Sequence, residues 1–411
     1  MDVLIVAPYV PYPPWFGGAS RVYHLLRALA RTHRVSLLCY GTAREVAAAG
    51  PLTEACVDVQ IVAPPRGERW RRLYQARSFV GRPYYYYAFH SRAMARALRS
   101  TLARQAFDVV QIEFSQMAAY LRLPSGPLRV LDAHNVEYLL LDRVGRQERH
   151  PLRRLYSWAQ ARKFRPDEIV ACRGMDGVLT TSAMDRAVLA REGVDVPIRV
   201  APNGVDTEYF TPTPAPPTAP SLLFTGAMNY LPNTDAVLHF CAEILPRIRA
   251  AVPAVSFAVV GRHPPPRVRR LASPSVLVTG TVSDVRPFMR DAAVFVVPLR
   301  SGSGTRLKIL EALASGCAVV STSVGCEGID VTHGREILVA DTPTAFADAV
   351  VRCLGDPALR ARLGAEGRAL VERQYRWETV GEAVNEAYEE LMDARRRPAP
   401  TAAWSEGRAY P

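Results

Sequence analysis

Lysine is nearly absent from this 411-residue chain, which has only Lys163 and Lys308 beside 49 arginines (51 basic residues minus two lysines). Long apolar runs are missing as well, and none nears the roughly 18 residues that a membrane-spanning helix requires. Residues 1–8 contain no basic stretch and no cleavage site. They therefore predict a first β-strand and no secretory signal peptide.

Cysteine motifs and two nucleotide-handling motifs are also missing. The seven cysteines are scattered, and no two have the CxxC spacing. This argues against a disulfide framework or a zinc site and predicts reduced thiols in a cytoplasmic protein. The chain has no Asp-x-Asp pair that would hold a metal diphosphate, and no GxGxxG follows its first strand. The missing GxGxxG argues against a nicotinamide-dependent oxidoreductase, and we expect no bound cofactor.

The composition that is present describes a globular protein, with 49% hydrophobic and 22% charged residues. A chain of this length is expected to form two or three domains. The formal net charge of +12 favours acidic partners, namely nucleic acid, anionic lipid or phosphorylated substrates. No nucleic-acid recognition motif accompanies the charge, so we expect no nucleic-acid partner.

Apolar strands alternate with helical segments in two series, which the proline-rich spacer Pro212–Pro220 separates. This pattern predicts an α/β protein with two facing Rossmann-like domains, residues 1–200 and 201–374. Ligands bind such parallel sheets at the carboxyl ends of the strands, so we expect the site in a cleft between the domains. The composition of residues 394–411 predicts a disordered tail.

The segment between a buried strand and the helix near residue 309 carries the strongest functional signal. A loop that enters a helix presents free backbone N–H groups and suits an anion. Arg306 and Lys308 follow the loop, and cations are unfavourable beside the positive end of a helix unless an anionic ligand is bound there. The alternative is an ordinary surface helix with a Lys308–Glu311 pair. The predicted ligand-binding residues are Gly302, Ser303, Gly304, Thr305, Arg306 and Lys308.

Three other junctions between strands and helices are candidates. Gly17 and Gly18 form a glycine loop that suits a phosphate or sugar, and a simple tight turn is the alternative. His134 lies among four polar residues at a strand end, which favours a functional histidine over a structural one. Asn203 begins an Asn-Gly turn where the two series meet, and ligand contact and a purely structural hinge are both open there.

The segment Arg66–Arg104 contains ten arginines and one acidic residue, Glu68, together with the tyrosine run Tyr84–Tyr87. Arginines mixed with aromatic residues are typical of membrane surfaces and nucleic-acid faces. Solvated arginines on a helical face are the simpler alternative. We predict that this segment contacts anionic lipid or a lipid-linked acceptor, which would place the protein at the inner face of a membrane.

Together these motifs resemble the retaining GT-B glycosyltransferases of glycosyltransferase family 4, over nearly the whole chain. The resemblance rests on Gly17-Gly18, the His134 segment, Asn203–Asp206 and the stretch from Gly302 to Gly325. It implies a GT-B fold and sugar transfer from a nucleoside diphosphate donor to a glycan or lipid-linked acceptor. It also implies retention of anomeric configuration, no metal, and a role in polysaccharide or glycolipid synthesis.

The resemblance further implies roles for particular residues. Arg306 and Lys308 would stabilise the departing diphosphate, and His134 would face the donor sugar. Glu311 matches the glutamate that holds the ribose hydroxyls in this family. A last helix, residues 375–393, would pack back on the first domain.

Two positions depart from the family pattern. Ser303 stands where the family commonly has a first glutamate, and Gly226–Tyr230 lacks the usual Arg and Lys. Both departures affect the expected identity of the donor sugar more than the expected class of reaction. Two other functions stay open: a GT-B nucleotide-sugar epimerase with Glu113 and Glu137 as acid/base groups, and a nucleotide-sugar-binding protein without turnover.

Overall fold

The computed structural model describes residues 1–42, 44–45, 49–65, 70–121, 126–148, 150–213, 217, 219–302 and 304–396. Four predicted features therefore fall wholly or partly outside the described residues: Ser303, residues 66–69 of the arginine-rich segment, residues 214–216 and 218 of the proline-rich spacer, and the tail from residue 397. None of the helices that the structure describes has the length and apolarity to cross a bilayer.

The first sheet has seven parallel strands: β1 Asp2–Ala7, β2 Arg34–Tyr40, β3 Asp58–Val62, β4 Val109–Glu113, β5 Leu128–Ala133, β6 Gly177–Thr180 and β7 Ile198–Val200. Their spatial order is β3-β2-β1-β4-β5-β6-β7. Val3, Ile5 and Val6 of β1 are fully buried, because helices cover both faces of the sheet. That double burial explains why the strands are apolar throughout instead of alternating.

The helices of this unit are α1 Gly17–Leu29, α2 Gly50–Ala55, α3 Arg71–Val80, α4 Tyr84–Phe89, α5 Arg92–Arg104, α6 Glu137–Gln147, α7 Pro151–Arg173 and α8 Ala183–Arg191, with a 3-10 segment Ser115–Leu121. Gly17 and Gly18 form the first turn of α1, after the extended Phe16, which corrects their prediction as a loop. No side chain in the described part of the chain caps this turn, so its N–H groups keep the anion-binding character of a helix start.

The second sheet has six parallel strands: β8 Ser221–Thr225, β9 Ser256–Val260, β10 Val276–Gly280, β11 Val294–Val297, β12 Val319–Ser321 and β13 Leu338–Val339. Their order is β10-β9-β8-β11-β12-β13. The helices are α9 Leu231–His239, α10 Leu245–Ala251, α11 Pro266–Arg269, α12 Arg286–Asp291, α13 Leu307–Ala314, α14 Pro343–Gly355, α15 Pro357–Gln374 and α16 Trp377–Arg396, with a π-helical turn Phe240–Ile244 between α9 and α10.

Each sheet has one point where the strand order reverses, between β1 and β4 in the first and between β8 and β11 in the second. The loops that leave the strands there diverge and open a crevice, which is where ligands bind in such folds. The loop after β1 leads into α1, and the loop after β11 leads into α13. The strand order alone therefore brings two of the predicted segments to binding positions.

The last helix, α16, returns to the first unit and packs along α1. Its apolar face belongs to the core of that unit and consists of Trp377, Val380, Val384, Ala387, Tyr388 and Leu391. Gly381 permits the close approach, since a Cβ there would lie 2.6 Å from the Cβ of Ala28. The helix runs through Arg396, so residues 394–396 of the predicted tail are helical. The domain boundaries after residues 200 and 374 stay predictions.

Candidate active site

The start of α13 provides an anion site of backbone and cationic groups. Arg306 is the N-cap residue, no side chain among the described residues caps the helix, and its first turn contains no acidic residue. The first N–H groups of a helix have no partner within it, and the helix dipole gives this end positive character. Gly304 precedes the helix in a left-handed conformation, with φ of 70°. The loop therefore turns in a way that a residue with a side chain rarely adopts.

Both predicted cations lie within the fold and not on an open surface. Arg306 is 9% exposed, donates to the carbonyls of Gly304 and Val324, and lies 3.9 Å from Glu327. Lys308 donates to Asn233 Oδ1 at 2.8 Å, and its Nζ lies 4.0 Å from the centre of the Phe224 ring.

Lys308 and Glu311 lie one helical turn apart and influence each other's charge. Burial, with Arg306 nearby, lowers the pKa of Lys308 to about 7. Burial raises the pKa of Glu311 to about 7, although Lys308 opposes the rise. Lys308 is half-buried and bound to Asn233, so the alternative of an exposed Lys308–Glu311 surface pair is wrong. A lysine whose pKa is lowered in this way is held in its charged form by an arriving anion.

His134 lies at the end of β5, in a buried polar cluster. Its Nε2 is 2.7 Å from Glu113 Oε2 and 3.7 Å from Asp132 Oδ2. Its ring packs against Phe114, with the ring centres 3.8 Å apart. Burial, reinforced by Asp132, raises the pKa of Glu113, against the opposing hydrogen bonds from His134 and Gln111.

Arg21 is the largest fully buried side chain and fixes the other side of this cluster. Its guanidinium donates to both carboxylate oxygens of Asp132 at 2.8 Å. It also donates to the Pro202 carbonyl at 2.9 Å and to Asn203 Oδ1 at 3.2 Å. Asn203 thus has an observed structural contact, and its role as a ligand stays a prediction.

The side chains of Glu113, Asp132 and His134 place potential metal-ligand atoms within 4.8 Å of one another. Their oxygen atoms are, however, already engaged. Both oxygens of Asp132 accept from Arg21, and those of Glu113 face Gln111 Nε2 and His134 Nε2, each at 2.7 Å. A guanidinium on one carboxylate opposes a cation, so the donor set fits a hydrogen-bonded cluster better than a metal cage.

The loop before α13 meets the His134 segment across the cleft. Thr305 Oγ1 donates to the Thr181 carbonyl at 3.1 Å, and Thr181 Oγ1 donates to the His134 carbonyl at 3.1 Å. A Cβ on Gly304 would lie 2.3 Å from Asn135 Oδ1 and 3.2 Å from the His134 carbonyl, and the positive φ of Gly304 also favours glycine at this close approach. The structure thus brings the predicted anion loop next to the predicted histidine.

A charged contact joins the two units beside this point. Arg143 of α6 donates to both oxygens of Glu327, at 2.8 and 3.0 Å, and to the Gly302 carbonyl at 2.9 Å. Gly17 also faces the second unit, since a Cβ there would lie 3.5 Å from Leu307. Gly18 is packed closely, because a Cβ would lie 2.3 Å from the Tyr9 hydroxyl. Gly17 therefore lies at the cleft, and Gly18 packs against the first unit beside it.

Two open cavities of the protein lie away from the residues that meet across the cleft. One of about 820 Å³ lies beside Asp235, His239 and Arg300, and another of about 460 Å³ lies beside Tyr23 and Trp377. Neither is lined by His134 or by the predicted cations of α13. We place the site by the convergence of polar groups at the strand ends and not by cavity size, because the loops are seated on each other there.

Sequence reasoning missed Arg262, which follows β9 at the same edge of the second sheet. Its guanidinium carbon lies 5.9 Å from the centre of the Phe16 ring in the first unit, directly before α1. Its Nε is buried without a hydrogen-bond partner among the described residues. The signal in the sequence was an arginine immediately after an apolar strand and Gly261. Arg262 adds a third cation to the cleft and lies near the segment where the family's usual Arg and Lys are missing.

Two facing parallel α/β units with an anion-suited helix start in the cleft define a GT-B protein, and solved structures have the same fold. A sucrose-phosphate synthase from Thermosynechococcus elongatus is similar at a TM-score of 0.71 and 19% identity, over 96% of this chain and all of its own. HepE from Anabaena, solved with UDP and glucose, is similar at a TM-score of 0.65 and 12% identity, over 95% of this chain and all of its own.

Two family models place the chain more narrowly. Glycosyltransferase Family 4 matches residues 16–209, and Glycosyl transferases group 1 matches residues 219–356. The chain belongs to the family 4 glycosyltransferases with the GT-B fold, which confirms the family and the fold that the motifs indicated, while retention of configuration stays a prediction.

Curated relatives act in glycolipid and lipopolysaccharide synthesis. One is the lipopolysaccharide core biosynthesis mannosyltransferase LpsB of Rhizobium meliloti, 29% identical over 68% of this chain and 85% of its own length. Another is a GDP-mannose-dependent phosphatidylinositol monomannoside mannosyltransferase of Mycobacterium tuberculosis, 30% identical over 50% of this chain and 60% of its own length.

Proposed function

We propose that this glycosyltransferase moves a hexose from a nucleoside diphosphate sugar to a lipid-linked or glycan acceptor, with retention of anomeric configuration. The observation that carries the proposal is the uncapped start of α13, where Arg306 and Lys308 lie in the cleft close to the His134 segment. The names of the curated relatives support a lipid-linked acceptor and, first among donors, GDP-mannose.

The difficult step is the departure of the diphosphate from the anomeric carbon, which builds negative charge on the leaving group. Donors that are fixed before the reaction stabilise this charge more in the transition state than in the ground state. Arg306, Lys308 and the first N–H groups of α13 provide such donors, and Arg262 adds a cation nearby. Glu311 would hold the ribose, and His134 would contact the donor sugar.

No side chain in this proposal acts as a nucleophile. The two buried glutamates near the sugar position already have partners: Glu113 is bound to His134 and Gln111, and Glu137 accepts from Asn135 at 3.2 Å. We therefore propose that the acceptor hydroxyl attacks on the face that the diphosphate leaves, and that a diphosphate oxygen takes its proton. The configuration at the anomeric carbon is then kept, and no bound cofactor takes part.

Binding is tested first, by thermal unfolding with GDP, UDP, ADP, GDP-mannose and UDP-glucose. A ligand at 100 times its Kd should raise the free energy of unfolding by about 2.7 kcal/mol. With the donor identified, proton NMR of the first sugar released or transferred gives its anomeric configuration. A product with the same anomeric configuration as the donor supports the proposal. A product with the opposite configuration contradicts retention.

The same spectra separate the alternatives. A donor that is converted to a second nucleotide sugar without acceptor indicates an epimerase. A donor that binds tightly but is neither hydrolysed nor transferred, with phospholipid and glycan acceptors supplied, indicates a binding protein, as the unusual Ser303 suggests.

A further inference from the structure

One face of the first unit exposes large apolar side chains beside arginines. It is formed by α3 and by the first turns of α7, and we call it the basic apolar face. Val80 is 95% exposed and Leu152 is 69% exposed. Clusters of exposed large apolar side chains rimmed by polar residues are typical of interaction sites. The apolar members are Leu73, Phe79, Val80, Leu152, Leu155 and Trp158.

Specific contacts hold the two helices of the face together. Ser78 Oγ lies 2.9 Å from the Tyr156 hydroxyl, and the rings of Phe79 and Tyr156 are 5.0 Å apart. Lys163 donates to the carbonyls of Ser78 and Phe79, at 2.8 and 2.6 Å. An ammonium at the negative end of α3 is favourable and fixes that end beside α7. Phe79 and Val80 are therefore presented as a defined surface.

The exposed stripe of α7 follows helical spacing. Leu152, Leu155 and Trp158 are three residues apart and share one side of the helix. The opposite side packs on α6 and α3, which leaves the stripe in solvent. Arg162 lies one turn beyond Trp158, with its guanidinium carbon 5.0 Å from the centre of the indole ring.

Charge distinguishes this face from an ordinary patch. Residues 70–92 and 150–166 contain five basic residues each, and neither range contains an Asp or Glu. The exposed arginines that border the apolar groups are Arg71, Arg72, Arg77, Arg82, Arg153 and Arg154. A surface that joins exposed apolar side chains to exposed arginines complements a surface with a negative outer layer and an apolar interior.

The tyrosine run is less exposed than the apolar side chains of α3 and α7, and its predicted contact with lipid stays a prediction. All four residues of Tyr84–Tyr87 are half-buried in and around α4. Tyr85 packs on Phe164 with ring centres 5.2 Å apart, and Tyr86 stacks on His90 at 5.0 Å. The exposed apolar groups come instead from α3 and α7.

We propose that the basic apolar face docks the protein on an anionic membrane, with the apolar side chains at the headgroup boundary and the arginines on lipid phosphates. The acceptor-side unit would then face the membrane that carries the acceptor. This role of docking rests on the proposed function, in which the acceptor is lipid-linked. The helix α6 connects the His134 end to this face and spans about 16 Å. A lipid-linked headgroup can bridge such a distance.

The test is flotation of the full chain with vesicles of phosphatidylcholine alone or of phosphatidylcholine with about 30% phosphatidylglycerol. Each kind of vesicle is tested at low salt and at high salt, about 50 and 500 mM NaCl. We expect the protein to bind the anionic vesicles at low salt. Binding to neutral vesicles, or to anionic vesicles at high salt, should be at least tenfold weaker. The double variant R153E/R154E should lose at least tenfold, since each basic residue near the surface contributes about fivefold. L152S/L155S should also lose binding.

Matched controls lie on the second unit. R267E/R270E makes the same change of charge at exposed positions in α11 and directly after it, and L277S removes an exposed leucine. Both variants should bind vesicles as the wild type does. Equal binding to neutral and anionic vesicles, or wild-type binding by both face variants, overturns the proposal. So does a wild-type dimer in sedimentation velocity that L152S/L155S abolishes, with no vesicle binding, because a second copy then covers the face.

The two proposals can fail separately. The face variants should keep the thermal shift and donor hydrolysis of the wild type, because the face lies outside the cleft. Vesicle binding without any nucleotide-sugar activity would leave the docking surface in place and overturn the proposed function. Sugar transfer without vesicle binding would support the proposed function and overturn the docking surface.

Discussion

His134 Nε2 and Glu113 Oε2 lie 2.7 Å apart, and this contact belongs to a chain of hydrogen bonds that reaches the last helix. The other oxygen of Glu113 accepts from Gln111 Nε2 at 2.7 Å, and the Tyr388 hydroxyl of α16 donates to Gln111 Oε1. All of these groups are buried. The C-terminal helix therefore supports the orientation of the histidine at the cleft, since a buried chain of this kind holds each member in one geometry.

Glu113→Gln should lower kcat on the order of tenfold, with a smaller change in the donor KM. The amide keeps the contact to Gln111 but replaces the carboxylate beside His134, so the imidazole loses its fixed partner. A tenfold change corresponds to about 1.4 kcal/mol in the barrier. Steady-state kinetics on the identified donor measures the split, and unchanged kcat would show that Glu113 does not position His134.

Tyr388→Phe tests the far end of the same chain. We expect a smaller decrease in kcat and a loss of about 1 kcal/mol of stability, because Gln111 loses one buried hydrogen bond. Glu386→Gln, an exposed change on the same helix, is the matched control and should behave like the wild type. If Tyr388→Phe loses stability alone, the helix supports the fold and not the site.

Arg306→Ala and Lys308→Ala should each lower turnover about 100-fold while the protein stays folded. Removal of one fixed charge at a developing anion costs about 3 kcal/mol of transition-state stabilisation. Arg290→Ala, an exposed arginine on α12, controls for general loss of positive charge. Turnover within twofold of wild type in both site variants would remove the diphosphate assignment.

Donor affinity should decrease as pH rises above about 7, the pKa to which burial and Arg306 lower Lys308. Below that pH Lys308 is cationic and binds the diphosphate, and above it the free protein must regain a proton to bind. The affinity is then flat at low pH and falls by at most about tenfold per unit above 7. A nucleotide sugar is the suitable probe, because its diphosphate keeps a constant charge over this range.

Glu311 titrates near the same pH, so this measurement is made in the Glu311→Gln background. Lys308→Met in that background should remove the decrease between about pH 6 and 9. A decrease that persists without Lys308 would assign the titration to another group.

Glu311→Gln should raise the donor KM more than it lowers kcat. A carboxylate that holds ribose hydroxyls contributes alike to the bound substrate and to the transition state, which is uniform binding. Competition by the free nucleoside diphosphate should weaken in parallel. A decrease in kcat alone, at constant donor affinity, would place Glu311 at the reacting centre.

Glu137→Gln should make the free energy of unfolding less sensitive to a rise in pH between about 5 and 8. Burial raises the pKa of Glu137 to about 8 from an ordinary 4.5, and Glu168 adds to the rise. Between these values the folded state holds a proton that the unfolded state releases, so stability falls as pH rises, by up to about 1.4 kcal/mol per unit.

The variant has no such proton, and its thermal midpoint should rise relative to wild type between pH 5 and pH 8. Glu208→Gln, at an exposed position, is the control. An identical pH profile for wild type and Glu137→Gln would mean that Glu137 is ionised in the folded protein at neutral pH.

Much of the fold was predictable because parallel strands buried on both faces must be apolar along their length. Strands such as Val3–Ala7 and Ala293–Val297 therefore stand out between helical segments without any knowledge of their neighbours. The order of polar segments at strand ends then located the loop before Arg306 and the segment of His134. Local chemistry sufficed there, since a helix start with cations already indicates an anion.

The partners of those residues were decided by tertiary structure alone. Arg21 and Asp132 are 111 positions apart, and Arg143 and Glu327 are 184 apart, so no local pattern links them. Arg262 joins the cleft because β9 lies beside β8 in the sheet, a pairing that the strand order fixes. The sequence determined which segments end at a cleft, because periodicity and loop chemistry are local. Which charges meet there, and which apolar side chains stay exposed on α3 and α7, depends on how the helices cover the sheets.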